Sequence, residues 1–173
     1  MACEISLGRT EPCKTVGGLK AIYLVNWIDG LDYQVDADDA IDSFGVDAPI
    51  TAYKYELRGA NSFDEAGETS SDNGSVFYTT TGTVQLKKQD AVTRKELKVL
   101  AYGRPRVIAE GWDGSFKLYG ADNGCDVSVS TASGAGMGDF TGYNLSITAK
   151  EVEPAYFVDS AVMVDVTEVT VVS

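Results

Sequence analysis

Asp36, Asp38 and Asp42 in VDADDAID stand at roughly the spacing of calcium-loop ligands. Such a loop also needs a glycine at its sharp turn and a bidentate glutamate at its end, and both are missing here. A solvated turn or a contact between subunits asks less of the same aspartates. DNGCD, Asp122 to Asp126, is a second carboxylate cluster, of a composition that usually makes a turn. A carboxylate pair for glycoside hydrolysis could be drawn from any chain with 26 acidic residues, and nothing singles one out. There is no histidine, which removes the commonest general base and the commonest metal ligand together. Cys3, Cys13 and Cys125 are too few and too scattered for a zinc site. They read as free thiols of a reducing compartment, with a Cys3–Cys13 bridge as the alternative. SGAGMG brings glycines close together, but without the lysine and helix of a phosphate cradle it reads as a flexible loop. No catalytic residue, cofactor or metal is therefore expected.

Charge is informative by its placement. The net charge is −12, which disfavours binding that depends on neutralising phosphates. Ala21 to Tyr53 holds no lysine or arginine but seven aspartates, among them Asp36, Asp38, Asp39 and Asp42. Lys87 to Arg106 holds seven of the 14 basic residues, among them Arg94, Lys95 and Lys98. Two solvated surfaces would explain this. So would an acidic region of one copy meeting the basic region of the next, a heterologous contact that closes into a ring or runs on as a filament.

The elements that would position these groups are mostly strands. A chain of 173 residues with 44% hydrophobic content and 18 glycines fits one turn-rich globular domain, 1–173. No apolar run has the length of a membrane span, and MACEISLGRTEPCK has no export-signal pattern. An N-terminal arm over about 1–18 and an acidic loop region over about 29–47 are expected. Leu19–Ile28 and Ile50–Leu57 read as strands. GANSFDEAGETSSDNG reads as a polar, mobile loop. Asp90 suits the N-cap of the single good helix candidate, Ala91–Tyr102, with Val92, Leu97, Leu100 and Ala101 as its buried stripe. RVIAEGWDGSFKLYG reads as a hairpin about Trp112-Asp113-Gly114-Ser115. Cys125–Thr131, Tyr143–Glu151 and Ala161–Val172 complete the strands. The expected fold is mainly β, an antiparallel sandwich or barrel-like sheet with one packed helix and a long extended hairpin. Trp27, Trp112 and the nine tyrosines could line a sugar-binding face, but they fall inside expected strands, where core or interface packing is their default.

Val76–Lys88 is longer than an ordinary strand. Val76, Tyr78, Val84 and Leu86 lie on one face and can turn inward. Thr79, Thr81, Thr83, Gln85 and Lys87 lie on the other and would be wet. An extended strand leaves backbone donors and acceptors that proteins pair or cover. Pairing with neighbouring copies would build a continuous barrel with a polar inner wall, along which a polyanion could slide without sticking.

Val76–Gly103, Arg106–Gly120 and Tyr143–Asp159, with YNLSITAKEVEPAYFVD near the end, resemble the tail-tube family of tailed bacteriophages and its tail-ring, connector and tail-completion relatives. The resemblance implies a non-enzymatic structural protein of the virion, assembled in the bacterial host cytoplasm. It implies a homo-oligomeric ring, six-fold or a multiple, around the DNA channel. Its partners would be further copies, adjacent tail or portal proteins and passing genomic DNA that is not specifically bound, with no membrane involved. The Val76–Lys88 strand would then be an inter-subunit or lumen wall, and the two charged regions lateral or stacking contacts. The alternative is a β-sandwich module whose aromatic residues bind carbohydrate or a surface. A carboxylate hydrolase is a third class.

Overall fold

The computed structural model describes residues 4–47 and 49–169. Cys3 lies outside them, and with it the Cys3–Cys13 bridge; among the described residues Cys13 and Cys125 form no disulfide. Residues 4–17 form no helix or strand and are exposed throughout.

The described residues form twelve strands and one α-helix. They are β1 (Leu19–Val25), β2 (Gln34–Val35), β3 (Ala40–Ser43), β4 (Ile50–Glu56), β5 (Ser62–Ser70) and β6 (Ser75–Lys87). Then come α1 (Ala91–Leu100), β7 (Arg106–Gly111), β8 (Phe116–Tyr119), β9 (Asp126–Ala132), β10 (Gly142–Glu151), β11 (Tyr156–Val158) and β12 (Val166–Val169). One sheet has the order β12-β4-β1-β7-β8-β11-β3-β2, the other β5-β6-β10-β9. The larger sheet is mixed, since β12 runs parallel to β4 and β11 to β3; the smaller is wholly antiparallel. The architecture is a mainly β sandwich with one helix and a long hairpin, and neither sheet closes into a barrel.

Burial explains the layering. Ala21 to Val25 of β1 are all buried, the mark of a strand covered on both faces. Ile22 and Leu24 meet Val84, Leu86, Leu145 and Ile147 of the smaller sheet, with Leu97 of α1 in the same core. Tyr23 and Val25 face a second core that contains Leu31, Ile41 and Phe44. The acidic region is therefore more than a loop: Leu31, Ile41 and Phe44 are buried in this core, while Asp29, Asp36, Asp38, Asp39 and Asp42 are exposed.

Three expectations need correction. GANSFDEAGETSSDNG is not a loop, because Ser62–Ser70 is β5, paired with β6 from Ser62↔Thr83 to Ser70↔Ser75. Its residues are nearly all exposed, so no apolar alternation marks it; cross-strand hydrogen bonds and packing hold it. Two glycine–aromatic pairs face each other along this hairpin, Gly82 with Phe63 and Gly67 with Tyr78. A Cβ at Gly82 would lie 2.5 Å from the Phe63 ring, which stacks on Tyr119 at 4.7 Å. The missing side chain is what admits the ring. The Ala161–Val172 run is also not one strand. Val162–Asp165 is a 3-10 turn and β12 follows, which places Val162 and Val166 together in the second core; residues 170–172 lie outside the described residues. Of the helix stripe, Leu97 is buried and Leu100 half-buried, whereas Val92 and Ala101 are exposed. The short helix touches the sandwich with one turn only. Its N-cap is as expected: Asp90 accepts from the backbone N–H of Thr93 at 2.7 Å and from its hydroxyl at 2.7 Å.

A buried carboxylate ties β1 to β7. Glu110, 7% exposed, accepts from Lys20 Nζ and from the Tyr23 hydroxyl, each at 2.9 Å. Burial works against its charge, but those hydrogen bonds and the charges of Lys20 and Lys54 hold its carboxyl below the ordinary 4.5. A carboxyl depressed on folding contributes stability above its unfolded pKa and loses it as pH falls through the folded one. Glu110→Gln is expected to cost about 2 kcal/mol at neutral pH. That cost should shrink as pH falls below 4.5, which urea unfolding of both proteins across acid pH measures.

Candidate assembly surfaces

The long strand divides by face much as its sequence implies. Thr80, Gly82, Val84 and Leu86 of β6 are buried, while Thr81, Thr83, Gln85 and Lys87 are exposed and Thr79 is partly so. Val76 departs from the pattern. It is 56% exposed, because β6 has passed beyond the body there. Tyr78 is half-buried, its ring beside Gly67 rather than in the core.

The exposed residues of β6 continue across the whole small sheet. Thr83 has Ser62 on one side and Ser146 on the other, with Ser128 beyond. Thr81 likewise lies between Asp64 and Thr148, with Asp126 beyond. Gln85 pairs with Asn144, which pairs with Ser130. Past the start of β5 the side-chain oxygen of Asn61 accepts from the Gln85 backbone N–H at 2.7 Å, extending the ladder. This outer face is mostly hydroxyl and carboxamide, with Asp64, Glu68 and Asp126 alongside Lys87 and Lys150, and with Ala66 and Phe77 towards the hairpin end. Sequence alone identified the wet face of β6 and marked β9 and β10 as strands but read β5 as a loop; that the four share one face became visible only through pairing.

β6 is not the strand that remains to be paired. β10 takes one of its sides from Tyr78 to Lys87 and β5 the other from Ser75 to Thr83. The expectation that its own backbone awaits a neighbouring copy is therefore corrected. Among the described residues the unpaired edges of this sheet belong to β5 and β9. β5 carries Asp64, Glu65 and Glu68 along its edge, all exposed. The hairpin runs past β10, which ends at Glu151 opposite Tyr78. Beyond it only β5 and β6 remain, and Phe77 there is accompanied by Lys150, whose ammonium stands 5.7 Å from the ring centre.

The two charged regions are separately placed. Arg94, Lys95 and Lys98 are exposed on α1, which packs beside β9, and make no ion pair with a described residue. Asp36, Asp38, Asp39 and Asp42 lie in and around the β2–β3 turn. One oxygen of Asp36 accepts from the backbone N–H groups of Asp38 and Ala40 at 2.8 and 3.0 Å, and Asp39 adopts a positive φ of 57°. Asp36 therefore shapes the turn, while Asp38, Asp39 and Asp42 extend into solvent.

The tryptophans diverge. Trp27 is half-buried, with the guanidinium groups of Arg104 and Arg106 each 4.2 Å from its ring centre. Trp112 is 53% exposed, not core, and stands over Gly18 beside an open groove of about 180 Å³ lined by Gly17, Ser115 and Lys117. Asp122 and Glu151 border a separate cleft of about 10 Å³, room for a water but not for a sugar ring. Burial raises the Glu151 carboxyl, which accepts from Asn123. Compared with known proteins, the chain matches no family model, no curated protein and no solved structure.

Proposed function

We propose that this chain is a non-enzymatic structural protein of a tailed-phage virion that forms a ring of the tail tube or head-to-tail connector around the DNA channel. The observation that carries the reading is the small sheet: one face buried, the other largely polar, and both edge strands without a further strand partner among the described residues. Its outer strands β5 and β9 run in opposite directions, so β9 of one copy can pair antiparallel with β5 of the next. That contact repeats without a change of strand sense, as a closed ring requires. Six copies would place about 24 strands in one barrel, roughly 48 Å across at the backbone for strands ~4.8 Å apart and tilted by about 40°. The hydroxyl-rich face would line it, and a wall with few free cations gives a passing polyanion little to bind.

Charge supports the same contact. The basic residues of α1 lie beside β9, and the edge of β5 is acidic, so docking brings opposite signs together. Asp38, Asp39 and Asp42 would then serve stacking between rings or contact with neighbouring tail or portal proteins. Reversing Lys95 and Lys98 together is expected to weaken assembly at least tenfold in concentration, about 1.4 kcal/mol, with thermal unfolding of the monomer unchanged. Mass photometry across a concentration series measures this, and unchanged assembly at moderate salt would remove the charge-pairing element. Negative-stain imaging of the wild-type protein tests the reading as a whole: rings or tubes with a central hole are expected. A strict monomer at high concentration, even when mixed with preformed tail structures, would count against it.

A second reading, a carbohydrate- or surface-binding module, is favoured by exposed Trp112 beside its groove. Glycan-array binding lost on Trp112→Ala would support it.

A further inference from the structure

We propose that Asn73, at the apex of the β5–β6 hairpin, is a site of spontaneous deamidation, and that the fold protects the chain's other Asn-Gly step from the same reaction. The tripeptide Asp-Asn-Gly occurs twice, as Asp72-Asn73-Gly74 and as Asp122-Asn123-Gly124. Because the local sequences are identical, their difference in reactivity is set by structure.

The reaction needs the backbone nitrogen of the glycine to reach the side-chain carbonyl carbon of the asparagine. Glycine offers least hindrance, having no Cβ. Water or hydroxide takes the proton of the glycine N–H, and the nitrogen attacks Cγ. A C–N bond forms, the Cγ–Nδ2 bond breaks, and ammonia leaves with a proton drawn from water. Water then opens the five-membered imide at either carbonyl to give aspartate or isoaspartate. The sum is asparagine plus water to acid plus ammonia, with no oxidant or reductant.

At Asn123 each participant is held. Nδ2 donates to the Lys150 carbonyl at 2.9 Å and lies 3.4 Å from a Glu151 oxygen. The Asn123 backbone N–H donates to Glu151 at 2.9 Å. The attacking group, the Gly124 N–H, is engaged with the Gly120 carbonyl at 3.1 Å, and Gly124 is buried. At Asn73 these restraints are absent among the described residues. Asn73 and Gly74 are exposed; the Asn73 backbone N–H reaches the Ser70 hydroxyl at 3.3 Å; its carboxamide and the Gly74 N–H have no protein partner. The product adds a negative charge beside Asp72, and isoaspartate adds a backbone atom to a four-residue turn.

The test is incubation of the full chain in mildly alkaline buffer, folded and in urea, followed by peptide mass mapping. Folded protein is expected to gain one mass unit at Asn73 at least tenfold faster than at Asn123, while urea makes the two rates equal. Asn73→Gln should abolish the fast conversion, and Glu151→Ala should accelerate conversion at Asn123. Equal rates in the folded chain, or an Asn73 as slow as Asn123 despite equal rates in urea, would overturn the proposal.

Discussion

Arg106→Ala is expected to lower the unfolding free energy by about 4 kcal/mol, the largest loss from any single side chain discussed above. The residue is 2% exposed and, among the described residues, has no carboxylate hydrogen-bonded to it. Its Nε donates to the Ala121 carbonyl at 2.8 Å and its Nη1 to that of Ile28 at 2.9 Å, while its plane lies near the Trp27 ring. Burial lowers its proton affinity, and Asp122 and Glu151 oppose that, so the guanidinium keeps its charge. Alanine would leave a cavity and two carbonyls without their donor. Arg106→Lys should recover less than half, since an ammonium can neither reach both carbonyls in one plane nor stack on the indole in the same way. Urea unfolding followed by tryptophan fluorescence measures both variants; a loss under about 1 kcal/mol for alanine would refute this account. The site also fixes geometry, since Ile28 begins the acidic segment and Ala121 leads into β9. Loosening Arg106 should misplace both before it unfolds the core.

What the sequence made legible followed from burial and capping. β1 holds the continuous apolar run Ala21–Val25, the helix has its Asp90 cap, and Asp113-Gly114 turns the β7–β8 hairpin with Gly114 at φ 84°. Each signal is local, so each can be read from neighbours in the chain. β5 was hidden because it is itself exposed and polar along nearly its whole length, and its order comes from β6. The Trp27–Arg106 stack joins residues far apart in sequence, and no periodicity marks it. The candidate surface was half legible. Alternation in β6 identified its wet face, but the hydroxyl field needs β10 and β9 beside it, and the location of the open edges needs the strand order. One inference even reversed: length made β6 look like the unpaired strand, when length is what lets it serve two partners.

Proteins ordinarily blunt an open edge with charge, bulges or cover. β5 has charge of one sign only, and α1, which lies by the opposite edge, has an excess of the other. Charge repels a second β5 while admitting a basic partner, so the same residues that prevent indiscriminate pairing can select the heterologous one. This gives the acidity of the chain a positional meaning that net charge alone does not have.

Shortening the hairpin separates folding from assembly most sharply. Replacing Gly67–Tyr78 with Asn-Gly would close β5 and β6 on the pair Ala66↔Thr79, with the residues that a two-residue turn prefers. The removed segment is nearly all exposed, and beyond Glu151 it is a two-stranded ribbon, a form that is marginal in water unless something covers it. Its loss should cost the monomer no more than about 1 kcal/mol, because Thr80, Val84 and Leu86 remain in the core. Assembly should fail, since the ribbon's long edge and both faces would be gone from every contact at once. Thermal unfolding by circular dichroism checks the first statement, and imaging with mass photometry checks the second. Rings of normal size from the shortened chain would show that the projecting hairpin is no part of the contact, leaving the stretch from Ser62 to Ala66 as the edge on which assembly depends.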